Sequence, residues 1–207
     1  MIEAVSIDMS PSASHKWNFA PRFRSNAFGW RPQPAITRVK EAVAEIKKTA
    51  RKDPVLAAEG AVLLLEKVSP ALAQVDGSSG AIGSTVNNAI DVLVAVIAAA
   101  PADDSVRDKW LDRLWQAVEK DDIPYIELLP EYWGELCATP ERASKWADLF
   151  VEGLLMAWEK KASSGHFVYF KGTSACFSSL LKAGRHEDII SLLERSPYKW
   201  WHYRRWA

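Results

Sequence analysis

The chain has 207 residues, no net charge at pH 7, 48% hydrophobic and 25% charged residues. This is the balance of a soluble globular protein with one large domain or two small ones. Two cysteines, Cys137 and Cys176, lie far apart and outside any C-x-x-C pattern, which excludes a disulfide scaffold and reads as buried thiols. The zero net charge hides a segregation: about +4 over residues 1–40, +4 over 195–207 and −8 between them.

Residues 1–34 show no sustained period. Prolines at 11, 21, 32 and 34 oppose a long helix, so this stretch reads as an irregular basic-aromatic arm, its rings pinned to the body. It carries Lys16, Arg22, Arg24 and Arg31 with Trp17, Phe23, Phe28 and Trp30. The start has no basic n-region followed by an apolar run, so a signal peptide is not expected and the cytoplasm of a bacterial cell is the expected location.

From Ala35 to the end, the pattern is that of a helical domain. Ile36, Val39, Val43, Ile46 and Ala50 make one stripe, with charges on the other faces. Asp53-Pro54 reads as an N-cap followed by proline at the first helical position, and that helix is expected to end near Ser69-Pro70. After the glycine-rich turn 76–80 comes a helix with Ile82, Val86, Ile90, Leu93, Val94 and Ile97, apolar nearly all round and expected at the centre of the fold. Its most apolar run, Ala89–Ala100, falls short of the roughly 20 residues that span a bilayer, so no membrane contact is expected.

Asp103 or Asp104 caps the next helix, which presents Val106, Trp110, Leu111, Leu114, Trp115 and Val118. Pro124 and Pro130 bracket a broken piece running to Cys137. Thr139-Pro140-Glu141 is a second clean cap, followed by Trp146, Leu149, Phe150, Leu154 and Ala157 on one face. The segment 166–170 has extended character, and a helix opens at Thr173 or Ser174 with Cys176, Phe177, Leu180 and Leu181. A turn at 183–185 leads into Ile189, Ile190, Leu192 and Leu193, and a last basic-aromatic helix is expected from about Tyr198. Of the ten tryptophans, Trp110, Trp115, Trp133, Trp146 and Trp158 are expected in the core, because each buries a large area between helices. No strand alternation occurs, so the expected fold is all-α: antiparallel helix pairs forming a bundle or a short α-solenoid.

The helix–turn–helix span 177–194 has the form of a tetratricopeptide-like unit. With the stretches 26–31, 50–60, 80–90, 132–137 and 172–176, it resembles a family of uncharacterised bacterial α-helical repeat proteins, matching the N-terminal half of longer members. The resemblance implies a repeat-type α fold and supplies no catalytic residue.

The chemical motifs are weak. The loop 77–85 is glycine-rich, but it lacks the spacing and the lysine of a Walker A loop and reads as a helix–helix turn with a serine cap. The histidines, at 15, 166, 186 and 202, fall at no metal-ligand spacing. His186-Glu187-Asp188 reads as a helix start whose acids favour the dipole. Asp103-Asp104 and Asp121-Asp122 read as caps and turns, and no nucleophile elbow is present. No catalytic residue, cofactor or metal ligand is therefore expected.

The basic-aromatic ends are the surface argument, since arginine pairs with anions and aromatic rings anchor interfaces. The expected contact residues are Arg22, Arg24, Trp30 and Arg31 on the arm, with Trp201, Arg204 and Arg205 at the far end. The expected function is a non-enzymatic protein–protein interaction or scaffold module, acting on a protein partner or a second copy of the chain. The alternative is an accessory nucleic-acid-binding protein using both basic ends.

Overall fold

Proline opens three of the helices, where its fixed φ suits the first turn and its missing N–H would have no partner. The computed structural model describes residues 15–164 and 169–196. Within them the chain forms α1 (Pro32–Ala50), α2 (Pro54–Leu72), α3 (Ala81–Ala99), α4 (Asp104–Glu119), α5 (Trp133–Cys137), α6 (Pro140–Ser164), α7 (Thr173–Lys182) and α8 (His186–Arg195). Short 3-10 turns occupy Ala20–Arg22 and Leu129–Tyr132. The fold is all-α.

The expected caps are in place. Asp53 accepts a hydrogen bond from the Leu56 backbone N–H and Asp103 from that of Val106, both at 2.9 Å. Thr139 accepts more weakly from Arg142 N–H at 3.3 Å.

Two boundaries and one cap differ from the sequence reading. Helix α1 starts at Pro32, inside the stretch read as irregular, because Arg31 stays extended and both Pro32 and Pro34 fall within the first turn, where no N–H is needed. Helix α2 continues through Pro70 to Leu72. Pro70 is exposed, and its carbonyl accepts from Asn26 N–H at 2.9 Å, so the end of α2 is stitched to the arm. At α3 the cap position is Gly80, with φ +71°, a left-handed conformation that glycine adopts without strain. The neighbouring Ser79 hydroxyl reaches Ala81 N–H only at 3.4 Å.

The helices pack in an ordered way. α1 packs on α3, α3 on α5 and α5 on α7, giving one row, while α2 packs against α1, α3 and α4, and α6 against α5 and α7. The three-residue link between α1 and α2 forces those helices antiparallel. α8 packs on α7.

One continuous apolar cluster runs through all of these elements. Trp110, Trp133 and Trp158 are buried in it, and Trp115 and Trp146 pack on it half-buried. The arm joins the same cluster: Trp17, Phe19, Phe23 and Phe28 are buried and stack in sequence at centroid distances of 5.4, 6.2 and 5.5 Å. Glu45 holds the arm from α1, accepting from both the backbone and side-chain nitrogens of Asn18 at 2.9 and 3.0 Å.

The Trp17 indole lies directly on Gly60 of α2, where an added Cβ would overlap the ring. Gly60→Ala is therefore expected to dislodge the arm and destabilise the protein by about 1–3 kcal/mol, despite alanine's better helix propensity. Urea denaturation checks this; an unchanged or raised midpoint contradicts the packing.

Two faces were misread from sequence. On α6 the buried residues are Ala143, Ala147, Phe150, Leu154, Ala157 and Trp158, and Leu149, a rotation of about 100° from Phe150, is 62% exposed. Helix α3 is not enclosed. Ile82, Val86, Ala89, Ile90, Leu93, Val94 and Ile97 are buried, but Asp91, Ala95 and Ala99 face solvent. By length and composition α3 is apolar enough to cross a membrane, with a mean hydropathy of 1.6. In the fold its buried face packs against α1 and α2.

Candidate functional site

The three arginines of the arm behave differently. Arg22 pairs with Glu41 at 3.2 Å, and Arg38 reaches the same carboxylate oxygen at 2.6 Å, so part of the basic arm is neutralised within the chain. Arg24 and Arg31 are exposed, and Trp30 between them is 72% exposed. The backbone carbonyl of Trp30 accepts from Asp76 N–H at 2.9 Å, which fixes this corner beside the α2–α3 connection. Trp201, Arg204 and Arg205 lie outside the described residues, as does the helix expected from Tyr198 and most of the segment 166–170.

Of the described basic residues between 160 and 186, Lys171 and Arg185 are committed internally and Lys182 is exposed. Lys171 Nζ donates to the carbonyls of Val118, Glu119 and Asp121 at 2.8–3.1 Å, capping the C-terminal end of α4, where a cation also favours the dipole. Arg185 donates to Asp148 and Asp188 at 2.5 and 2.6 Å, so Asp188 is the partner of an ion pair rather than a free acid.

The chemical motifs resolve as architecture. In the loop 76–80 the Asp76 carboxylate accepts from Ser78 N–H at 3.0 Å, and that bond holds its pKa below the usual value. A negative side chain thus occupies the amide that an incoming phosphate would need. Asp121 is buried, accepting from the Ser69 hydroxyl and, at 2.9 Å, from Ile126 N–H. Burial pushes the thiols of Cys137 and Cys176 up to about 12, so both are protonated at neutral pH and neither is a nucleophile. Among the described residues no three His, Cys, Asp or Glu side chains gather as a metal site.

Several buried polar groups were not expected from sequence. Arg107, 4% exposed, donates to the carbonyls of Ile97 (3.1 Å), Ala100 (2.6 Å) and Leu136 (3.3 Å). Burial, with Arg142 nearby, lowers its pKa. Arg142 pairs with Asp104 and Asp108 and donates to Cys137 O at 2.9 Å. Arg113 pairs with Glu59 and Glu66. These are fastenings between helices.

Two hollows lie on the row formed by α1, α3, α5 and α7, and two smaller ones, of about 370 and 220 Å³, lie between α2 and α4 on either side of Arg113. A groove of about 630 Å³ runs between the C-terminal halves of α1 and α3, lined by Lys47, Ala50, Pro54, Asp91, Val92, Ala95, Val96 and Ala99. A second pocket of about 520 Å³ lies between α5 and α7, lined by Glu131, Tyr132, Gly134, Glu135, Ser178, Leu181 and Lys182. Tyr132 separates the two: its hydroxyl donates to Asp91 Oδ1 at 2.6 Å, which pushes the phenol up to about 12. At the edge of the second pocket Gly134 lets α5 approach α7 closely. A Cβ there would strike the backbone carbonyl of Ser178.

The second pocket gathers Glu131, Glu135, Lys182 and Ser178, whose hydroxyl accepts from Gly134 N–H at 3.0 Å, and the first is mostly alanine and valine. Trp30 and Arg31 stand at the opposite end of α1 from this groove, about 25 Å away along the helix, while Arg22 sits midway, at Glu41. The signal for the groove was present in α3 itself: Asp91, Ala95 and Ala99 recur at helical spacing on what reads as an all-round apolar helix. Comparison with protein-family models, with curated proteins and with solved structures finds no match. The geometry is therefore the ground for a functional reading.

Proposed function

We propose that the chain is a non-enzymatic helical interaction module that docks a protein partner on the row of α1, α3, α5 and α7. The observation that carries this is the α1–α3 groove, an aliphatic hollow of about 630 Å³ open to solvent on a helix whose opposite face builds the core. Grooves of this kind take the apolar face of a partner helix. The neighbour-to-neighbour row of alternate helices supports the repeat-like reading, since stacked helix pairs present one extended face for binding.

Ala95 and Ala99 are exposed, so Ala95→Glu with Ala99→Glu fills the groove with charge at little cost to folding. Affinity capture with this double variant is expected to lose proteins that the wild type retains after nuclease treatment, with an unchanged melting curve. Identical capture by the two forms would refute the reading.

A second reading is favoured by one observation: Arg24, Trp30 and Arg31 are all exposed, near the N-terminal end of α1. Two guanidinium groups beside an aromatic face suit single-stranded nucleic acid. On this reading, binding of an oligonucleotide weakens steeply with salt, and Arg24→Glu with Arg31→Glu abolishes it.

A further inference from the structure

We infer that the α1–α3 groove takes an amphipathic segment of a partner protein whose aliphatic anchors are flanked by aspartate or glutamate; this rests on the groove being the docking surface. Its length sets the form of the occupant. From Asp91 to Ala99 along α3 is about 12 Å, room for the two helical turns that present anchors at i, i+3 or i+4 and i+7. The floor of Val92, Ala95, Val96 and Ala99 is shallow and aliphatic, suited to leucine, isoleucine or valine anchors.

Charge sets the sign of the flanks. Lys47 lines the groove beside Ala50, and Arg51 follows Lys47 by one helical turn, so it lies on the same side. Lys48 and Lys52, about 100° further round, are exposed away from the lining, so of four exposed cations within six residues two, Lys47 and Arg51, are on the groove side. None of the four is in an ion pair among the described residues.

The neighbouring acids keep their charge, because each is held by a neutral donor, and Asp91 stands on the α3 wall of the groove facing the α1 wall that carries Lys47. Glu45 accepts from Asn18, Asp53 from Leu56 N–H and Asp91 from the Tyr132 hydroxyl. Lys47 and Arg51 have no acid paired to them, so a flank of aspartate or glutamate is favoured on the α1 side of the groove, where it also steers the encounter. Nucleic acid fits less well here, because the lining has no aromatic ring on which a base could stack.

The test is a display selection of random 16-residue peptides on the intact chain, with a parallel selection on Ala95→Glu/Ala99→Glu. The enriched peptides are expected to combine Leu, Ile or Val at helical spacing with an excess of Asp and Glu, and to be absent from the variant's pool. Measured by fluorescence anisotropy, they should bind Lys47→Glu/Arg51→Glu at least tenfold more weakly. Replacing their acids by lysine should restore binding to that charge-reversed variant.

Peptides lost on the groove variant but without an acidic excess would overturn the inference and leave the docking surface standing. Peptides indifferent to the groove variant, or no enrichment at all, would overturn both.

Discussion

Trp133→Ala is expected to destabilise the protein by about 3–5 kcal/mol, the cost of removing a fully enclosed tryptophan and leaving a cavity. Trp133 is completely buried at the start of α5, and its ring meets Trp115, Trp146 and Phe150 edge-on at centroid distances of 5.6, 5.2 and 5.7 Å. Those three rings come from α4 and α6, so the cavity would open where α4, α5 and α6 meet, and five residues of α5 cannot close it alone. Trp133→Phe separates packing from polarity. The indole N–H of Trp133 is buried without a hydrogen-bond partner among the described residues, and an orphaned donor of this kind costs about 1–3 kcal/mol. Phenylalanine keeps much of the ring contact and removes that donor, so its net cost should be under about 1.5 kcal/mol. Urea midpoints decide the matter. Equal losses for the two variants would mean that the indole nitrogen has a partner and that the cluster is not held by ring packing.

Trp133 was among the tryptophans that its size marked as core, and the reason such residues are legible is that burial acts on one side chain at a time. A large ring must face inward somewhere. The same holds for Asp53 and Asp103, whose caps depend only on residues three positions away.

What the sequence withheld depends on neighbours. Leu149 and Phe150 are adjacent and apolar, and only the seating of α6 on α5 and α7 decides that Phe150 is inside and Leu149 outside. Helix α3 reads as central by composition, yet a helix in a row has a free side, and which side is free follows from where α1 and α5 stand. The groove is a product of that arrangement: the spacing of Asp91, Ala95 and Ala99 marks a face of small residues, but nothing local says that this face stays uncovered. The basic arm was visible as charge. That Arg22 is tied to Glu41 while Arg24 is not was beyond any pattern in the chain.

Arg107→Met should cost on the order of 3 kcal/mol, close to the effect of a large core truncation although no cavity is made. Methionine fills much the same volume, so the loss isolates the hydrogen bonds. The guanidinium spans the carbonyls of Ile97 and Ala100 at the end of α3 and of Leu136 in α5, and it lies 5.7 Å from the centre of the Trp110 ring. It belongs to α4, so one side chain fastens three consecutive helices. Helix ends leave carbonyls that the helix cannot satisfy, and here they turn inward, away from water. Arginine suits the position because its planar fork reaches several acceptors at once. A lysine ammonium concentrates its donors at one point, so Arg107→Lys should recover only part of the loss. The effect should also be local in a way that the tryptophan variant is not. Hydrogen exchange should rise first in the last turn of α3 and in α5, where the released carbonyls are, while the arm and the first turns of α1 stay protected. Because the α1–α3 groove ends at Ala99, next to this fastening, Arg107→Met should also weaken whatever docks there with the groove's own side chains intact. Exchange rising uniformly along the chain would show instead that Arg107 adds to global stability without holding this joint.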